Sequence, residues 1–346
     1  MKPIIIAGPC AVESEKQVFD TAFQIKNLLT EQDAFEFQCF RAGIWKPRST
    51  PADFAGVGTD ALPWLQRIQN ELGLKVCVEI AQPEHVEICR KAGINMFWIG
   101  ARTTVNPFQV EKLAQLCQGS EVCVFVKNPV SPDLKLWLGA VERFETYGIK
   151  NVFAVHRGFD LGLHHKYRNT PYWKIPIEFL KQRPDIPMIG DPSHIAGCTS
   201  LIEDICQKSL DLGYSGLMIE THITPEEALS DKHQQITPKM LWTLLQRLHI
   251  QSKNKTENQN PLFPLRSEME DIDNQIMFLM KSRLEISEQI AQIKQKHQLP
   301  ILQPTQWEKV ENSYMEFARQ EQIDENLMKE FLKILHLSSL KRQERI

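Results

Sequence analysis

The amino-acid sequence predicts an α/β protein in which a (β/α)8 TIM barrel is followed by an all-α domain of three helices. Short runs rich in β-branched and aromatic residues alternate with helical segments along the first 249 residues, a pattern typical of parallel sheets built from βα units. Eight such runs occur in about 250 residues, which is the usual size of a TIM barrel. Beyond a polar stretch at 251–260, only helical patterns remain.

The predicted strands follow one another at regular intervals. They read PIIIAG, FEFQCF, LKVCVEI, NMFWIG, VCVFVK, NVFAV, PMIGD and GLMIE, and they begin at residues 3, 35, 74, 95, 122, 151, 187 and 216. The helix TPKMLWTLLQRLHI completes the last unit near residue 249. The active site of a TIM barrel lies at the carboxyl ends of its strands, so the residues there are the first candidates for function.

Every predicted strand is followed by a chemically active side chain. These residues are Cys10, Arg41, Glu79, Arg102, Lys127, His156 with Arg157, Asp191 with His194, and Glu220 with His222. Solvated loops explain a polar residue after any single strand, but they explain eight consecutive cases less well. We therefore expect a functional site where these strand ends converge.

Composition excludes several classes of function. The chain has 346 residues with 40 basic and 43 acidic side chains, so its formal net charge of -3 gives no bulk attraction to nucleic acid or membrane lipid. No charged leader with an apolar segment precedes the first strand, and no apolar stretch approaches the ~18 residues of a membrane helix. The eight cysteines form no CxxC pair. We expect a cytoplasmic protein with reduced thiols and no nucleic-acid or membrane partner.

Cationic side chains gather after four of the predicted strands. They are Arg41, Lys46, Arg48, Arg102, Lys127 and Arg157. A barrel would bring them to one mouth, where they would repel one another unless bound anions supplied the balancing charge. Guanidinium groups match phosphate and carboxylate oxygens bidentately, which favours an anionic ligand over scattered surface charge.

Cys10, His194, Glu220 and Asp231 provide four donor types that one divalent first-row metal accepts together. Thiolate and imidazole favour iron, zinc, cobalt or manganese over magnesium. The four residues come from distant parts of the chain, so their spacing forms no local motif. A single cysteine at a strand end more often packs than binds a metal, and the prediction depends on the whole set.

The barrel region resembles a known family. The stretches that carry the resemblance are AGPC, RAGIWKPRST, IGAR, FVKNP, HRGF, GDPSH, IETH and ALSD. Together and in this order, over residues 1–249, they resemble the short, microbial type of 3-deoxy-D-arabino-heptulosonate 7-phosphate (DAHP) synthase. The resemblance implies a metal-dependent condensation of phosphoenolpyruvate with erythrose 4-phosphate, the first step of the shikimate pathway.

The resemblance also implies a role for each candidate residue of the barrel. Cys10, His194, Glu220 and Asp231 match the family's ligands for one divalent transition metal (Mn, Fe, Co or Zn). Arg102, Lys127 and Arg157 match the residues that hold the phosphate of phosphoenolpyruvate, and Arg41 and Lys46 match those near its carboxylate. Arg48 and Ser49 match the clamp on the aldose phosphate.

The chemistry of the condensation suggests two further roles. The metal would polarise the erythrose 4-phosphate aldehyde as a Lewis acid, so that C3 of the enol phosphate can attack it. Water then adds at C2, with help from Glu79, before phosphate leaves by C–O cleavage. The resemblance implies that Lys46 protonates the new hydroxyl, and a pKa lowered by neighbouring cations would suit that role.

A second reading of the same barrel is a 3-deoxy-manno-octulosonate 8-phosphate synthase, which uses arabinose 5-phosphate as the aldose. That family carries KANR where this chain has KPRST, which favours the four-carbon aldose. The barrel also begins at residue 2, leaving no room for an N-terminal regulatory domain. Control of the reaction is therefore expected to come from elsewhere in the chain.

The C-terminal part divides into a linker at 251–261 and a helical domain at 262–346, after a barrel domain at 1–250. Residues 265–298 contain no Gly or Pro and predict a helix about 50 Å long, with two more helices at 305–321 and 324–342.

At 100° per residue, one apolar stripe of this long helix contains Leu265, Ile272, Ile276, Leu279 and Ile290, which is typical of core packing. Arg283 and Lys294 fall in the middle of this stripe, where unpaired cations are costly to bury. They could extend to the rim, but two on the centre line favour a buried anionic ligand.

The tail resembles the all-helical class of chorismate mutases over residues 262–343. The strongest stretches are PLFPLRSEMEDID and KSRLEI. The resemblance implies a homodimer through the helical domain, in which each pocket takes Arg266 from the partner chain. It also implies that Arg283 binds a carboxylate, that Lys294 and Gln343 bond the ether oxygen, and that Ser339 positions the substrate. The reaction is the pericyclic rearrangement of chorismate to prephenate, which needs a compact conformer and suitably aimed donors.

The tail departs from that family at one stretch. Around QPTQWEKV, where relatives carry an acid, an arginine and a glutamate, this chain has Gln303, Gln306 and Trp307, although Glu308 could substitute after a one-residue slip. Two hypotheses follow: a bifunctional enzyme, or a monofunctional synthase whose tail only dimerises the chain or senses a ligand. Either way, the tethered domain predicts feedback on the synthase by prephenate or chorismate.

Overall fold

A computed structural model describes residues 2–29, 33–48, 50–119, 121–162, 166–250 and 262–345. The chain divides into two compact units, Met1–Asp271 and Ile272–Ile346. The first contains the predicted barrel and the second most of the predicted helical tail. At the level of single residues, the predicted domain boundaries stay a prediction.

The first unit is a closed barrel of eight parallel strands in sequence order, which confirms the predicted TIM barrel. The strands are β1 Ile4–Gly8, β2 Glu36–Arg41, β3 Val76–Ile80, β4 Met96–Ile99, β5 Cys123–Lys127, β6 Asn151–His156, β7 Met188–Gly190 and β8 Gly216–Glu220. Each lies within or at the edge of one of the eight sequence runs, because β-branched and aromatic residues suit strands that are buried on both faces.

Helices connect the strands and form the C-terminal tail. In the described residues they are α1 Glu15–Leu29, α2 Leu62–Leu72, α3 Pro83–Lys91, α4 Ala101–Thr104, α5 Pro107–Cys117, α6 Leu134–Thr146, α7 Lys174–Gln182, α8 Pro192–Ala196, α9 Ile202–Asp211, α10 Pro238–Arg247, α11 Leu262–Lys296, α12 Pro304–Gln320 and α13 Glu325–Gln343. Short 3-10 helices lie at Gly58–Ala61, Thr199–Leu201, Pro225–Glu227 and Lys232–Gln234. None of the described helices is long and apolar enough to cross a membrane.

Two apolar layers hold the barrel together. Along β4, Met96 and Trp98 pack inside the barrel, whereas Phe97 and Ile99 pack against the surrounding helices. This alternation follows from the period of two along a strand, and it fills both the interior and the outer shell. The eight cysteines are free thiols and seven of them are buried, which agrees with the expectation of reduced cysteines.

The first strand approaches its neighbour closely at its carboxyl end. Gly8 has φ +148, and a Cβ at this position would lie 2.1 Å from the carbonyl oxygen of Arg41, so only glycine fits. The glycine lets β1 and β2 end side by side. Cys10 therefore follows directly over the mouth of the barrel, where it is buried.

The long helix α11 exposes the apolar stripe that the sequence predicted to be core. Leu265, Ile272, Ile276, Leu279 and Ile290 are 59, 49, 40, 53 and 40% exposed. Its buried side chains in the second unit are instead the small residues Ser287 and Ala291. The three helices confirm the predicted tail, but periodicity identified the apolar face without revealing that this chain leaves it uncovered.

Candidate active site

The strand ends converge on one cavity of about 350 Å³ at the mouth of the barrel. The predicted residues that line it are Cys10, Arg41, Lys46, Arg48, Glu79, Arg102, Lys127, Arg157, His194 and Asp231. Glu220 is fully buried beside it, with Oε1 3.0 Å from Nη2 of Arg41. Ser49 lies outside the described residues. The structure thus brings together the described barrel candidates.

Three of the four predicted metal ligands form a compact group. One ligand atom each from Cys10, Glu220 and Asp231 lies within 4.8 Å of the other two. His194 lies beside this group, with Nε2 3.6 Å from Oε1 of Glu220. Nδ1 of His194 is 2.9 Å from Oδ1 of Asp191, which caps α8 and orients the ring. A carboxylate accepts from Nδ1–H, so Nε2 is left with a lone pair facing Glu220.

The buried cations of the mouth are paired with carboxylates. Lys127 Nζ lies 2.8 Å from Oδ2 of Asp191, and both side chains are buried. His194 and Lys127 hold the pKa of the Asp191 carboxyl well below its usual range, although burial alone would raise it. The guanidinium of Arg41 stacks 4.9 Å from the ring centroid of Trp98, besides its pair with Glu220. These pairs fix the cations around the cavity.

Lys46 has different neighbours from those that the sequence suggested. Its Nζ contacts Sγ of Cys10 and lies 3.2 Å from Oδ2 of Asp231. Burial favours the neutral amine, but the negative charges of Glu220 and Asp231 and the hydrogen bond with Cys10 raise the pKa of Lys46 above its usual range. The expectation of a lowered pKa was wrong, because the nearest charges are anions rather than cations.

The other titratable groups of the mouth respond mainly to burial. Burial, reinforced by Glu220, raises the pKa of the Cys10 thiol, which donates to Oδ2 of Asp231 at 3.0 Å. A divalent cation at the same position would favour the thiolate instead. Burial also raises the pKa of Glu79, against the opposing charges of Lys127 and Lys46. Glu79 therefore holds a proton more readily than an exposed carboxylate does.

Two arginines contribute positive charge to the lining of the cavity. Burial, reinforced by Arg168 and Arg102, lowers the pKa of Arg157 to about 10. Arg41 is 2% exposed, and its Nε and Nη1 have no hydrogen-bond partner among the described residues. Buried donors without partners are rare, so this guanidinium is arranged for an acceptor that enters the cavity.

Some residues of the site were not found by sequence reasoning. Arg168 and Asn169 line the cavity from the loop after β6, and Nη1 of Arg168 lies 2.9 Å from Oδ1 of Asp231. Gln234 is buried and bonds Glu220. The loop that carries Arg168 and Asn169 has no periodic pattern that could have identified them. For Gln234, the only sequence signal was its position three residues after Asp231.

Two strand-end histidines face away from the cavity. Nε2 of His156 lies 2.7 Å from the carbonyl oxygen of Pro171, and its Nδ1 is 3.0 Å from the hydroxyl of Tyr214. Burial lowers the pKa of His156 to about 3, so this ring is neutral. His222 is buried 3.6 Å from Glu13. Both histidines support the loops around the mouth.

The helical unit brings together a second set of predicted residues. Arg283 donates to Oγ of Ser339 and to the carbonyl oxygen of Leu335. Lys294 donates to Oε1 of Gln343 at 3.1 Å and to a carbonyl oxygen at 2.6 Å. Ser339 and Gln343 are both buried. All these partners are uncharged, so no carboxylate among the described residues forms an ion pair with either cation. Arg266 is exposed.

The stretch that departs from the resembled family lies at the start of α12. Gln303 is the N-cap residue of this helix, and Gln306 and Glu308 are exposed. The ring of Trp307 stacks on His336, with 3.9 Å between ring centroids. An aromatic pair thus lies in the stretch where the resemblance implied charged side chains.

Two family models match different parts of the chain. The model described as DAHP synthetase I family matches residues 1–257, and the model described as chorismate mutase type II matches residues 265–344. The two matches correspond to the barrel and to the helical tail.

Individual relatives match the barrel region. A phospho-2-dehydro-3-deoxyheptonate aldolase of Thermotoga maritima is 26% identical over 246 residues, covering 70% of this chain and 68% of the relative. A 2-dehydro-3-deoxyphosphooctonate aldolase of Campylobacter jejuni is 26% identical over 257 residues, covering 66% of this chain and 89% of the relative. Among solved structures, a DAHP synthase from Thermotoga maritima superposes with a TM-score of 0.61 at 25% identity, covering 71% of this chain and 68% of that one.

Proposed function

The chain belongs to the DAHP synthetase I family, and from this premise we propose that its barrel condenses phosphoenolpyruvate with erythrose 4-phosphate to give DAHP and phosphate. The C-terminal part is a type II chorismate mutase domain. The chain therefore combines a transferase and an isomerase of aromatic amino acid biosynthesis. We place it in the cytoplasm, with no nucleic-acid or membrane partner.

The buried guanidinium of Arg41 is the observation that carries the barrel proposal. It lines the cavity with two nitrogens that have no partner among the described residues, while its third nitrogen bonds Glu220. A buried donor left without an acceptor costs about 1–3 kcal/mol, more when it is charged. Nε and Nη1 lie on different edges of the guanidinium, and a carboxylate that accepts from either of them would reduce this penalty. We assign this position to the carboxylate of phosphoenolpyruvate.

The remaining cations divide between two phosphate groups. Arg102, Lys127 and Arg157 line one part of the cavity, and we assign them to the phosphate of phosphoenolpyruvate. Arg48 lies 3.3 Å from Asp53, and we assign it, with Ser49, to the phosphate of the aldose. Because each cation is supplied by a different strand end, the two substrates would be held with their reacting carbons facing each other.

The donors at the mouth suit one divalent transition metal. Cys10, His194, Glu220 and Asp231 would hold it, since their thiolate, imidazole and carboxylate groups match Mn, Fe, Co or Zn. Members of the family are in general metal-dependent. The bound ion would supply Lewis-acid polarisation of the aldose carbonyl.

Two side chains are placed for proton transfer. Lys46 lies at the mouth between Cys10 and Asp231, and we propose that its ammonium protonates the oxygen that becomes the new hydroxyl. The ammonium form of a lysine predominates at neutral pH, so this proton is available there. Glu79 lines the same cavity, and we propose that it assists the addition of water at C2. Phosphate then leaves as the C–O bond of the hemiketal breaks.

Aldose choice is the first test of the barrel. Phosphoenolpyruvate loss is followed with erythrose 4-phosphate and, separately, with arabinose 5-phosphate, each with and without a chelator. We expect turnover with the four-carbon aldose only, abolished by the chelator and restored by added divalent metal. Turnover with the five-carbon aldose would instead mean that this chain has the activity for which the Campylobacter jejuni relative, a 2-dehydro-3-deoxyphosphooctonate aldolase, is named. Full activity in metal-free buffer would remove the metal from the proposal.

For the helical domain, we propose the rearrangement of chorismate to prephenate. The uncompensated cations Arg283 and Lys294 support this assignment, since chorismate is a dianion with an ether oxygen between its two halves. Arg283 would bind a carboxylate, while Lys294 and Gln343 would donate to the ether oxygen as charge develops there. Ser339 would help to position the substrate. With Gln303, Gln306 and Trp307 in place of the charged groups that the resemblance implies, we expect a weak mutase.

A row of exposed apolar residues on α11, which overlaps the stripe described above, supports a homodimer through the helical domain. Apolar residues recur every seven positions at Leu265, Ile272, Leu279, Ile286 and Ile293, with exposures of 59, 49, 53, 55 and 57%. A seven-residue repeat of this kind is the pattern of helices that pack side by side over several turns. We propose that the second copy covers this stripe and supplies Arg266 to the pocket of Arg283.

The tail could instead be a sensor without catalytic activity. Chorismate consumption and prephenate binding by the full chain distinguish the two functions: turnover assigns an enzyme, whereas prephenate binding without turnover assigns a sensor. We also propose that prephenate lowers the synthase rate. Its differential affinity for two conformations would supply the coupling. The matched control is Arg283→Ala, in which inhibition by prephenate should disappear while the uninhibited synthase rate is kept.

A further inference from the structure

Two neighbouring glutamines join the chain segments that carry the candidate metal ligands. Gln234 and Gln235 follow Asp231 at the end of the 3-10 turn Lys232–Gln234, and each is 1% exposed. Buried amides must have their hydrogen bonds satisfied, so their partners show what they do. In both cases the partners lie on or beside candidate ligands.

The side chain of Gln234 connects a carboxylate to a guanidinium. Its Nε2 donates to Oε2 of Glu220 at 2.7 Å, and its Oε1 accepts from Nη1 of Arg168 at 2.6 Å. An ionised carboxylate only accepts hydrogen bonds and a guanidinium only donates them. The amide can therefore satisfy both neighbours in one orientation only, with its nitrogen toward Glu220.

Arg168 extends this connection to a second candidate ligand. The same Nη1 donates to Oδ1 of Asp231 at 2.9 Å. One oxygen of each carboxylate is thus held by the pair Gln234 and Arg168. The other oxygens face the remaining ligands: Oε1 of Glu220 lies 3.6 Å from Nε2 of His194, and Oδ2 of Asp231 lies 3.0 Å from Sγ of Cys10.

Gln235 fixes the backbone on both sides of the same group. Its Oε1 accepts from the backbone N–H of Cys10 at 2.9 Å, and its Nε2 donates to the carbonyl oxygen of Ser230 at 2.8 Å. Asp231, which follows Ser230, has left-handed backbone angles (φ 48, ψ 34) that are uncommon for a residue with a side chain. Such a conformation persists when its surroundings hold it, as these bonds do.

We propose that Gln234, acting through Glu220 and through Arg168 on Asp231, is a positioning residue that sets the spacing of the two carboxylates and thereby the affinity of the barrel for its metal. This inference rests on the proposed metal site. Gln234 touches no substrate in this assignment. Its effect is to decide which oxygen of each carboxylate is free to bind the ion.

The test is a cobalt titration of the full chain and of Gln234→Met, a substitution of similar size that removes both hydrogen bonds without changing the charge. Loss of a residue that orients metal ligands weakens binding about 10- to 100-fold, and we expect a change of this size in the competition of Co²⁺ with a chelator. The cobalt–thiolate absorption band should persist, since Cys10 is unchanged. The ligand-field bands should shift, since they report the geometry of the carboxylates.

Two further variants control the experiment. Gln207→Met removes an amide that bonds Asp211 and a backbone carbonyl elsewhere in the barrel, and it should leave cobalt binding unchanged. Arg168→Met breaks the same connection from its partly exposed end, where folding is less at risk, and it should weaken binding in the same direction. Thermal unfolding establishes that each variant is folded.

The outcomes separate this inference from the proposed function. If wild-type protein binds Co²⁺ with a thiolate band but folded Gln234→Met binds it equally well with unchanged ligand-field bands, the positioning role is wrong while the metal site stands. If wild-type protein gives no cobalt–thiolate band, the metal site itself is wrong and the positioning role is lost with it. If Gln234→Met does not fold, unchanged binding by Arg168→Met overturns the inference.

Discussion

The barrel mouth and the helical unit both collect cations, but they neutralise them differently. At the mouth, Arg41 pairs with Glu220 and Lys127 pairs with Asp191, at 3.0 and 2.8 Å. In the helical unit, Arg283 and Lys294 donate to a serine, a glutamine and two carbonyl oxygens. Neutral partners satisfy hydrogen bonds but leave the charge in place. A site of the second kind gains more from binding an anion, because nothing in the described residues already compensates the cations.

The barrel and the helical unit also differ in how completely their apolar side chains are buried. Inside the barrel, Ile6, Phe125 and Ile189 are completely buried by the closed sheet. On α11, Ile286 and Ile293 are 55 and 57% exposed. A closed barrel leaves no strand edge and completes its core within one chain, whereas three helices of this length expose an apolar face. We therefore expect the barrel site to be complete in one chain, whereas the helical site of the proposed dimer takes a residue from the second one.

The largest effect should come from the barrel ligand that lies first in the sequence. Cys10→Ser removes the thiolate, and because a Lewis acid contributes several kcal/mol, we expect synthase activity to fall at least about 10³-fold. Phosphoenolpyruvate loss measures this. Chorismate turnover by the same variant should be unchanged, which makes the helical domain an internal control for the amount of intact protein, while thermal unfolding checks the barrel. Parallel loss of both activities would mean that the two regions are not independent.

The reciprocal change is made in the helical unit. Arg283→Ala removes a charged donor from the candidate pocket, and loss of one such donor typically lowers turnover about 10²- to 10³-fold. Chorismate turnover should fall by this amount, while the uninhibited synthase rate stays constant. Lys281→Ala is the matched control, since Lys281 is an exposed cation on the same helix. If Arg283→Ala leaves chorismate turnover unchanged, the site lies elsewhere.

The dependence on a second chain is tested on the exposed stripe. Ile286→Asp places a carboxylate in the proposed helix–helix contact, where burying an unpaired charge is unfavourable, so sedimentation should detect monomers. Mutase activity should fall at least about 10-fold, because the partner's Arg266 is lost. Gln292→Asp introduces the same charge on the other side of α11 and should remain dimeric. A dimer that survives Ile286→Asp would assign the contact to another surface.

Sequence patterns predicted the strands and helices of both regions better than they predicted the contacts around individual side chains. The eight strands and the three tail helices follow from local periodicity, and the barrel topology then brings strand ends together. What could not be predicted depends on contacts across long stretches of chain. Arg168 reaches Asp231 over 63 residues, from a loop without periodicity. Lys46 contacts Asp231, 185 residues further along the chain. This carboxylate helps to raise the pKa of Lys46, whereas the sequence suggested a lowered pKa. Likewise, the stripe on α11 was recognised, but periodicity does not say whether the covering surface belongs to the same chain.

The smallest predicted effect concerns how acid acts on the barrel. His156 is buried and neutral, and burial lowers its pKa to about 3, whereas an unfolded histidine titrates near 6.5. Between these two values the unfolded state binds more protons, so stability is fully present above about pH 6.5 and decreases as the pH falls. From pH 7.5 to 5.5 this residue should contribute a loss of about 1.4 kcal/mol.

His156→Gln tests this contribution, because glutamine offers a donor to the Pro171 carbonyl and an acceptor to the Tyr214 hydroxyl without titrating. The variant should lose some stability at pH 7.5 through imperfect packing, yet its pH dependence should be smaller by about 1.4 kcal/mol over the same range. Hydrogen exchange of the amides in β5, β6 and β7 measures the opening free energy of the barrel alone. An identical pH slope in both proteins would show that acid acts on the barrel through other groups. Because His156 lies in the barrel, amides of α12 and α13 should respond equally to pH in both proteins.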